Sequence, residues 1–204
     1  MITRPITRSI TRAITRSIAG VETIVFIELE AAASAYYSLS SDWVATGDYS
    51  IEQYVYFTGD TIRLSGNISN FTNRVFINSS GEIFWRADGS NDDRSIAGAV
   101  PTNKLSLLKV ERIGSVGKIY ANGALVLTTT VPTGTLTVNT FGNQGGTVSG
   151  GLISLPKLTD LSTPANSLAF TLGELTANSE VNNGVTLTYN NIATTQDVRD
   201  TYTL

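Results

Sequence analysis

Glu28 and Glu30 are the residues of this sequence best spaced for acid–base chemistry, because a single residue separates them in a strand-like run. In a β-strand both carboxylates lie on the same face, with Cα atoms about 6.6 to 6.8 Å apart. Side-chain rotation could bring the carboxyl groups to the separation of about 5.5 Å at which paired acids cleave a glycosidic bond with retention. Two solvent-facing strand acids are the simpler interpretation, so we predict that the protein is not an enzyme.

A second candidate site is the run from Asp88 to Asp93, in which Asp88, Asn91, Asp92 and Asp93 supply side-chain oxygen atoms. Calcium is a hard cation that prefers such ligands. A polar loop containing a glycine needs the same residues simply to turn and to remain solvated. We expect no cofactor, and calcium is the one exception that these four residues leave open.

The third candidate site consists of Glu52, Tyr54 and Tyr56, which share one face if their run is a strand. Aromatic rings next to polar groups are the usual composition of a surface that stacks on a sugar and forms hydrogen bonds with it. Trp85 is grouped with them as a further ligand-binding candidate. The alternative is that these rings belong to the core with their hydroxyls at its rim, and the alternation of Trp85 with Ile83 favours a buried tryptophan.

The composition excludes several kinds of site. Among 204 residues there is no cysteine and no histidine, so catalysis by a Ser-His or Cys-His pair and a thiolate metal site are ruled out. The longest apolar run, residues 24–33, contains two glutamates and is shorter than the ~20 residues of a membrane span. The first 16 residues hold four arginines and no apolar segment typical of a signal peptide. We expect a protein without a membrane span, made in a cytoplasm.

Residues 1–20 form a basic arm in which the unit Ile-Thr-Arg-x repeats. The arm carries four arginines and no acid, whereas the rest of the chain has ten basic and 17 acidic residues and a net charge of −7. The β-branched residues favour an extended arm, although a helix would also bring the isoleucines to one side. Without an aromatic residue the arm is poorly suited to nucleic acid, and we expect no nucleic-acid partner. A groove of a partner protein is the expected binding site, and self-association is the alternative. The predicted anchoring residues are Ile2, Arg4, Ile6, Arg8, Ile10, Arg12, Ile14, Arg16 and Ile18.

From residue 21 the chain changes to short runs of strand-forming residues between turn signals, with no amphipathic helix among them. This pattern predicts an all-β, antiparallel two-sheet sandwich. Asn122-Gly123 predicts a two-residue hairpin turn, and Ser79-Ser80-Gly81 predicts a second short hairpin loop. The predicted strands cover 21–30, 49–57, 61–64, 74–77, 82–86, 105–113, 117–120, 124–129, 136–141 and 151–158, with further strands at 167–172 and 185–189.

The order of six segments resembles the concanavalin A-like lectin and glucanase superfamily in its laminin G-like form. The segments are 47–52 (GDYSIE), 80–83 (SGEI), 108–114 (LKVERIG), 119–123 (IYANG), 150–153 (GGLI) and 158–160 (LTD). The resemblance implies a jelly roll that recognises carbohydrate or protein, and relatives often hold calcium at a rim loop. Glucanases of the superfamily carry the motif Glu-x-Asp-x-Glu. The window from Phe26 to Glu30 lacks its first Glu and has Glu28 in place of Asp.

The arm and the segment 162–204 together resemble small virion proteins of tailed bacteriophages, of the capsid decoration or tail fibre type. We therefore divide the chain into an anchoring arm (1–20), a lectin-like sandwich (21–161) and a C-terminal β extension (162–204). The resemblance implies a virion structural or adhesion protein, located in the particle. The repeated unit of the arm suits a symmetric homo-oligomer, because identical arms could associate around an axis. The partners of the protein would be a capsid or tail protein and a cell-surface glycan. The alternatives are a carbohydrate-binding module without a virion role and a glycoside hydrolase that uses Glu28 and Glu30.

Overall fold

The computed structural model describes a large part of the chain beyond the arm. The described residues are 23–29, 36–87, 93–130, 135–144, 147–148, 151–154, 156–170, 179–190 and 201–203. The arm and its nine predicted anchoring residues lie outside them, as do Glu30, Asp88, Asn91 and Asp92.

Strands make up almost all of the regular structure in these residues. The strands are β1 (Thr23–Leu29), β2 (Tyr36–Ala45), β3 (Tyr49–Phe57), β4 (Ile62–Asn67), β5 (Asn70–Ile77), β6 (Ile83–Arg86), β7 (Asp93–Arg94), β8 (Lys104–Ile113), β9 (Val116–Ala121), β10 (Ala124–Thr130), β11 (Leu136–Phe141), β12 (Asn143–Gln144), β13 (Thr147–Val148), β14 (Gly151–Ser154), β15 (Lys157–Asp160), β16 (Leu168–Ala169), β17 (Ser179–Asn182), β18 (Val185–Asn190) and β19 (Thr201–Thr203). A single 3-10 turn, Pro164–Asn166, accompanies them in the described part. The all-β prediction is confirmed.

The strands form two large antiparallel sheets. In the first, nine-stranded sheet the order is β10-β9-β8-β3-β14-β1-β19, and β15 also pairs with β3 and carries β16. In the second, eight-stranded sheet the order is β17-β18-β2-β11-β4-β5-β6-β7. Strands β12 and β13 pair with each other as a short separate hairpin. The two large sheets enclose one apolar core, which confirms the predicted sandwich.

The alternation of side chains in β3 shows how the sequence builds this core. Tyr49, Ile51, Val55 and Phe57 are buried, whereas the residues between Ile51 and Phe57 at even positions are only half-buried. Tyr49 meets Trp43 of β2 and Trp85 of β6 edge to face, with ring centroids 6.3 and 6.1 Å apart. Aromatic rings contributed by both sheets therefore join them at this point.

Both predicted hairpin turns are present. Asn122 and Gly123 have φ angles of 52° and 79°, the positive values that a two-residue turn of this type requires. Gly81 has φ of 73°, and a Cβ at that position would lie 2.5 Å from the carbonyl oxygen of Val100. Glycine at position 81 thus tolerates the positive φ angle, and its lack of a Cβ leaves room for the neighbouring main chain.

One predicted strand is two strands in the structure. The run 151–158 forms β14 and β15, which pair with successive parts of β3 and are interrupted around Pro156. Proline has no N–H for the ladder, which explains a break at this point. Ser154 bridges the break, because its hydroxyl accepts a hydrogen bond from the Tyr54 N–H at 2.9 Å and its carbonyl accepts one from Gln53 Nε2 at 2.6 Å.

The C-terminal segment contributes strands to both sheets. β16 pairs with β15, β18 pairs with β2, and β19 pairs with β1. The 3-10 turn that leads into it is held by Trp43, whose indole N–H donates to the Asn166 carbonyl at 2.8 Å. The side chain of Asn166 donates to the Val44 carbonyl at 2.7 Å. The segment after residue 162 is therefore tied to β2 by side-chain and main-chain bonds.

Candidate functional site

The half-buried residues of β3 lie on the outer face of the nine-stranded sheet, opposite the core. Glu52, Tyr54 and Tyr56 occupy alternate positions there, between the buried residues Ile51, Gln53, Val55 and Phe57. The strand period predicted that the first three share a face, and the structure places them on the side turned away from the core. Their rings and carboxylate are partly accessible to a ligand.

Strand register extends this surface across four strands. Glu52 lies opposite Lys157 of β15 on one side and opposite Lys109 of β8 on the other. Lys109 in turn lies opposite Tyr120 of β9. We call Glu52, Tyr54, Tyr56, Lys109 and Tyr120 the tyrosine face.

Lys109 is the electrostatic centre of the tyrosine face. Its Nζ is 2.6 Å from Oε2 of Glu111 and 5.7 Å from the centre of the Tyr120 ring. The hydrogen bond to Glu111 raises the pKa of Lys109, partial burial opposes the rise, and the charges of Glu111 and Glu52 add to it. At neutral pH the face therefore presents a fixed ammonium group between two carboxylates and beside an aromatic ring.

This arrangement suits recognition of a polar, uncharged ligand. Tyrosine rings can stack on the apolar side of a sugar, and tyrosine hydroxyls, carboxylates and an ammonium group can form hydrogen bonds with its hydroxyl groups. The sequence alone identified Glu52, Tyr54 and Tyr56 but missed Lys109 and Tyr120. In the sequence, the alternation of Lys109, Val110 and Glu111 already places Lys109 and Glu111 on one face of a predicted strand. The sequence does not show that this strand lies beside β3, because the order of strands in the sheet is decided by the tertiary structure.

Trp85, which we grouped with these residues, lies elsewhere. Its side chain is 0% exposed and packs in the core against Tyr49. Ile83 and Trp85 both point inward from β6, as their alternation indicated. A surface ligand cannot reach this indole, so Trp85 is removed from the candidate site.

The acidic pair is described only in part. Glu28 belongs to β1, where its backbone lies in register with Leu152 of β14. Glu30 lies outside the described residues. The glycosidase hypothesis and our expectation that the protein is not an enzyme both remain predictions.

The calcium candidate is also described only in part. Of its four residues, only Asp93 is described; it opens β7 opposite Trp85, and its carboxylate accepts a hydrogen bond from the Thr129 hydroxyl at 2.8 Å. Nowhere in the described residues do three acidic side chains gather closely enough to hold a metal ion. Binding of calcium by the 88–93 loop therefore stays a prediction. Likewise, within the described ranges no helix has the length and apolar character needed to cross a membrane.

Comparison with known proteins supports the fold assignment. No protein-family model matches the sequence, and no curated protein matches it either. Among solved structures, the native heptameric SAP-like pentraxin from Limulus polyphemus is similar with a TM-score of 0.52 and 12% identity, over 67% of this chain and 76% of that one. At this identity the similarity shows the fold alone, a jelly-roll sandwich of the lectin type.

Two further solved structures have lower TM-scores than the pentraxin. A galectin of Caenorhabditis elegans gives a TM-score of 0.37 at 14% identity, covering 66% of this chain and 89% of the galectin. The tailspike protein of the Escherichia coli O157:H7 bacteriophage CAB120 gives 0.42 at 12% identity, covering 69% of this chain and 25% of the tailspike.

Proposed function

We propose that the protein is a non-enzymatic adhesion or structural protein of a bacteriophage particle, and that its sandwich binds a cell-surface glycan on the tyrosine face. The observation that carries the glycan-binding part is the alignment of Tyr54, Tyr56 and Tyr120 with Glu52 and Lys109 on one accessible sheet face. The particle role rests on the repeated arm and on the resemblance of the sequence to phage virion proteins.

The tyrosine face has the chemistry that a sugar requires. Tyr54 and Tyr56 are two positions apart on β3, so their side chains project from the same side about 6.6 to 6.8 Å apart at Cα. Glu52 and Lys109 lie directly opposite each other and bring an acceptor and a donor to the same surface. A pyranose lying over the tyrosines would reach both charged groups with its hydroxyls.

The core explains why such a surface can be presented rigidly. The residues that alternate with Glu52, Tyr54 and Tyr56 are at most 4% exposed and pack between the sheets. Side chains on a strand anchored in this way lose little additional conformational freedom when a ligand binds, which favours affinity.

A glycan array with the full chain tests the binding function. The double variant Tyr54→Ala/Tyr56→Ala should lose at least about tenfold in affinity for an uncharged glycan that the unmodified protein binds, equivalent to about 1.4 kcal/mol. Tyr36→Ala is the matched control, because Tyr36 is a half-buried tyrosine on the other large sheet. Binding that survives the double variant but not the control would place the glycan elsewhere, and an array without any hit would contradict glycan binding.

The anchoring function is tested separately by deleting residues 1–20. We expect loss of incorporation into particles together with unchanged glycan affinity, because the sandwich buries its own core. A second variant in which the four arginines of the arm are changed to glutamine would keep its isoleucines and should weaken incorporation if the arginines meet acidic groups or carbonyls of the partner. Normal incorporation of the deleted chain would contradict an anchoring arm.

The absence of enzymatic activity is tested with the acidic pair. We expect no glycan turnover by the unmodified chain. If turnover is found, Glu28→Gln/Glu30→Gln decides its source: loss of turnover with the fold retained would replace the adhesion proposal by a hydrolase, whereas unchanged turnover would exclude this pair.

A further inference from the structure

One end of the nine-stranded sheet exposes a row of apolar side chains. Leu161 directly follows β15, Ile113 is the last residue of β8, and Val116 is the first residue of β9. Their side chains are 43%, 45% and 42% exposed, and Ile113 and Val116 lie directly opposite each other. We call these three residues, together with Asp48, the end row.

Strand register places Asp48 in the middle of the end row. In the last paired positions at this end of the sheet, Tyr49 lies opposite Asp160 on one side and opposite Arg112 on the other. These three side chains are buried. The residues next to them along the chain belong to the end row, and strand alternation turns those residues to the outer face of the sheet.

Hydrogen bonds hold Asp48 to its neighbours on both sides. Its carbonyl oxygen accepts the Leu161 N–H at 2.8 Å, and Oδ1 of its carboxylate accepts the Gly114 N–H at 2.6 Å. A carboxylate has a second oxygen atom, which can accept from a guanidinium group. The end row therefore presents an acidic group flanked by apolar side chains.

The chain enters the nine-stranded sheet at this same end. Strand β1 runs parallel to β3, because both pair antiparallel with β14. Ile27 and Val55 both lie opposite Ile153, and are therefore level with each other. Thr23, the first residue of β1, is then three residues of strand rise from the level of Asp48, or about 10 Å. The arm thus joins the sandwich at the end that carries the end row.

The part of the arm nearest the sandwich has a pattern that complements the end row. We call residues 14–18 the last repeat. In an extended chain Ile14, Arg16 and Ile18 share one face, so that a cation lies between two apolar side chains. Their two intervals cover about 13 Å, and the three strand spacings of the end row cover about 14 Å. Apolar and charged groups therefore coincide when the last repeat lies across the row.

The connection to β1 is long enough for this contact. Five residues of chain lead from Ile18 to Thr23 and span at most about 17 Å. Leu161 continues β15, which pairs with β3 on the side where β14 and β1 lie. Strand spacing and rise put Leu161 about 11 Å from Thr23. A segment tethered at this distance has a millimolar effective concentration, which favours it over a separate molecule.

Charge also favours the end row as the binding site of the arm. The arm has a net charge of +4 and the rest of the chain a net charge of −7. On the tyrosine face the carboxylates of Glu52 and Glu111 already lie beside Lys109. The carboxylate of Asp48 has apolar neighbours in its row, so an arginine there gains an ion pair while the flanking isoleucines leave water.

We propose that the last repeat of the arm binds across the end row of its own chain. Ile18 packs against Leu161, and Arg16 donates hydrogen bonds to the carboxylate of Asp48. Ile14 packs on the part of the row that β8 and β9 supply. The first three repeats stay available for a partner protein, and the contact fixes the direction in which they leave the sandwich. This contact requires neither the particle role nor glycan binding, so it can fail while both of those stand.

Limited trypsin digestion of the full chain tests the proposal. Residues 6–10 and 14–18 have the same sequence, ITRSI, so the bonds after Arg8 and Arg16 have the same local chemistry. Cleavage follows the population of the undocked segment. We expect the bond after Arg16 to be cleaved at least about tenfold more slowly than the bond after Arg8. Equal rates in the unmodified chain would overturn the proposal.

Variants of the end row identify the cause of the protection. Leu161→Ser/Ile113→Ser removes exposed apolar side chains, so the melting temperature should be retained while the two cleavage rates come within about twofold of each other. Val181→Ser changes an exposed valine on the edge of the other large sheet and should leave the protection intact. Asp48→Asn keeps an acceptor for the Gly114 N–H, removes the charge and should reduce the protection. If protection persists in the double variant, closeness to the fold explains it and the proposal is wrong.

Disulfide trapping distinguishes the chain's own arm from that of a second copy. The sequence has no cysteine, so Ile18→Cys/Leu161→Cys introduces a single pair. Mild oxidation should link the two positions within one chain, because a disulfide requires Cα atoms within about 7 Å. Ile10→Cys/Leu161→Cys is the matched control from an earlier repeat and should form the link more slowly. A link between two chains, or equal rates for both pairs, would refute binding of the last repeat to its own end row.

Discussion

The guanidinium group of Arg112 lies over the ring of Tyr49 in the core of the sandwich, with Cζ 4.8 Å from the ring centre. Arg112 is only 1% exposed, and its Nη2 donates a hydrogen bond to the Gly47 carbonyl. Tyr49 lies opposite Arg112 in the ladder between β3 and β8 and also packs against both tryptophans. Desolvation raises the pKa of Tyr49, so its hydroxyl remains protonated well into the alkaline range.

The first prediction concerns this buried arginine. Arg112→Ala removes a desolvated cation–π contact and the bond to Gly47, and we expect a loss of roughly 3 kcal/mol in the free energy of unfolding. Urea denaturation of the unmodified protein and of the variant measures this loss. Lys104→Ala changes an exposed cation at the start of the same strand and should cost less than about 0.5 kcal/mol. A loss below about 1 kcal/mol in Arg112→Ala would contradict a stabilising role.

A second prediction compares two glycines with similar backbone angles. Gly123 has φ of 79° and nothing within 4 Å of a built Cβ, so Gly123→Ala should cost about 1 to 2 kcal/mol from the left-handed backbone alone. Gly81 has φ of 73°, but its Cβ would meet the Val100 carbonyl, so Gly81→Ala should cost at least about 3 kcal/mol. Equal melting temperatures of the two variants would show that the main chain at Gly81 and Val100 can move apart to admit a Cβ without loss of stability.

The third prediction is a pH dependence that originates in Lys109. A lysine whose pKa is raised by folding contributes stability that is present below its ordinary pKa of 10.5 and is lost as the pH rises through the higher folded value. The stability difference between the unmodified chain and Lys109→Met should therefore be constant from pH 7 to about pH 9 and decrease above pH 10.5. We expect this stability difference to be less than about 1 kcal/mol, because the pair of Lys109 with Glu111 is at the surface.

The control for this pH series is Lys104→Met, which removes an exposed lysine from the same strand. Thermal unfolding of the three proteins at each pH separates the effect of Lys109 from general alkaline denaturation. A difference that grows above pH 10.5 would show that the pKa shift has the opposite sign.

The fourth prediction concerns calcium. Because a polar turn explains the composition of the 88–93 loop, we expect the melting temperature to be the same in EDTA and in millimolar calcium. A site saturated to 100 times its dissociation constant would add about 2.7 kcal/mol. That stabilisation corresponds to roughly 5 to 11 °C for a chain of this size. A shift of that size, abolished by Asp92→Asn, would assign calcium to the loop.

Local chemistry made part of the structure predictable from sequence. The bounds of β3 and β11 follow from side-chain alternation, which needs no partner strand to be recognised. The turn at Asn122 follows from the few residue pairs that tolerate positive φ at both central positions. The alternation of Trp85 with Ile83 likewise favoured a buried tryptophan, and Trp85 is buried in the structure.

Other elements could not be predicted because their partners are distant in the chain. Strand β2, with the sequence YYSLSSDWVA, lacks regular alternation and was missed. Its middle residues, Ser40 to Asp42, are exposed where the pairing with β11 shifts register. The irregular stretch is acceptable only because β11 and β18 pair with the strand on both sides.

The sequence by itself determined that this chain is a β-sandwich, where many of its strands and turns lie, and that Glu52, Tyr54 and Tyr56 share a face, since these properties depend on neighbours along the chain. Only the tertiary structure decided that this face is turned away from the core and continues through Lys109 to Tyr120. It alone brought Asp48, Ile113, Val116 and Leu161 together at one end of the same sheet. Strand order and register join residues far apart in sequence, and they depend on how the whole core packs.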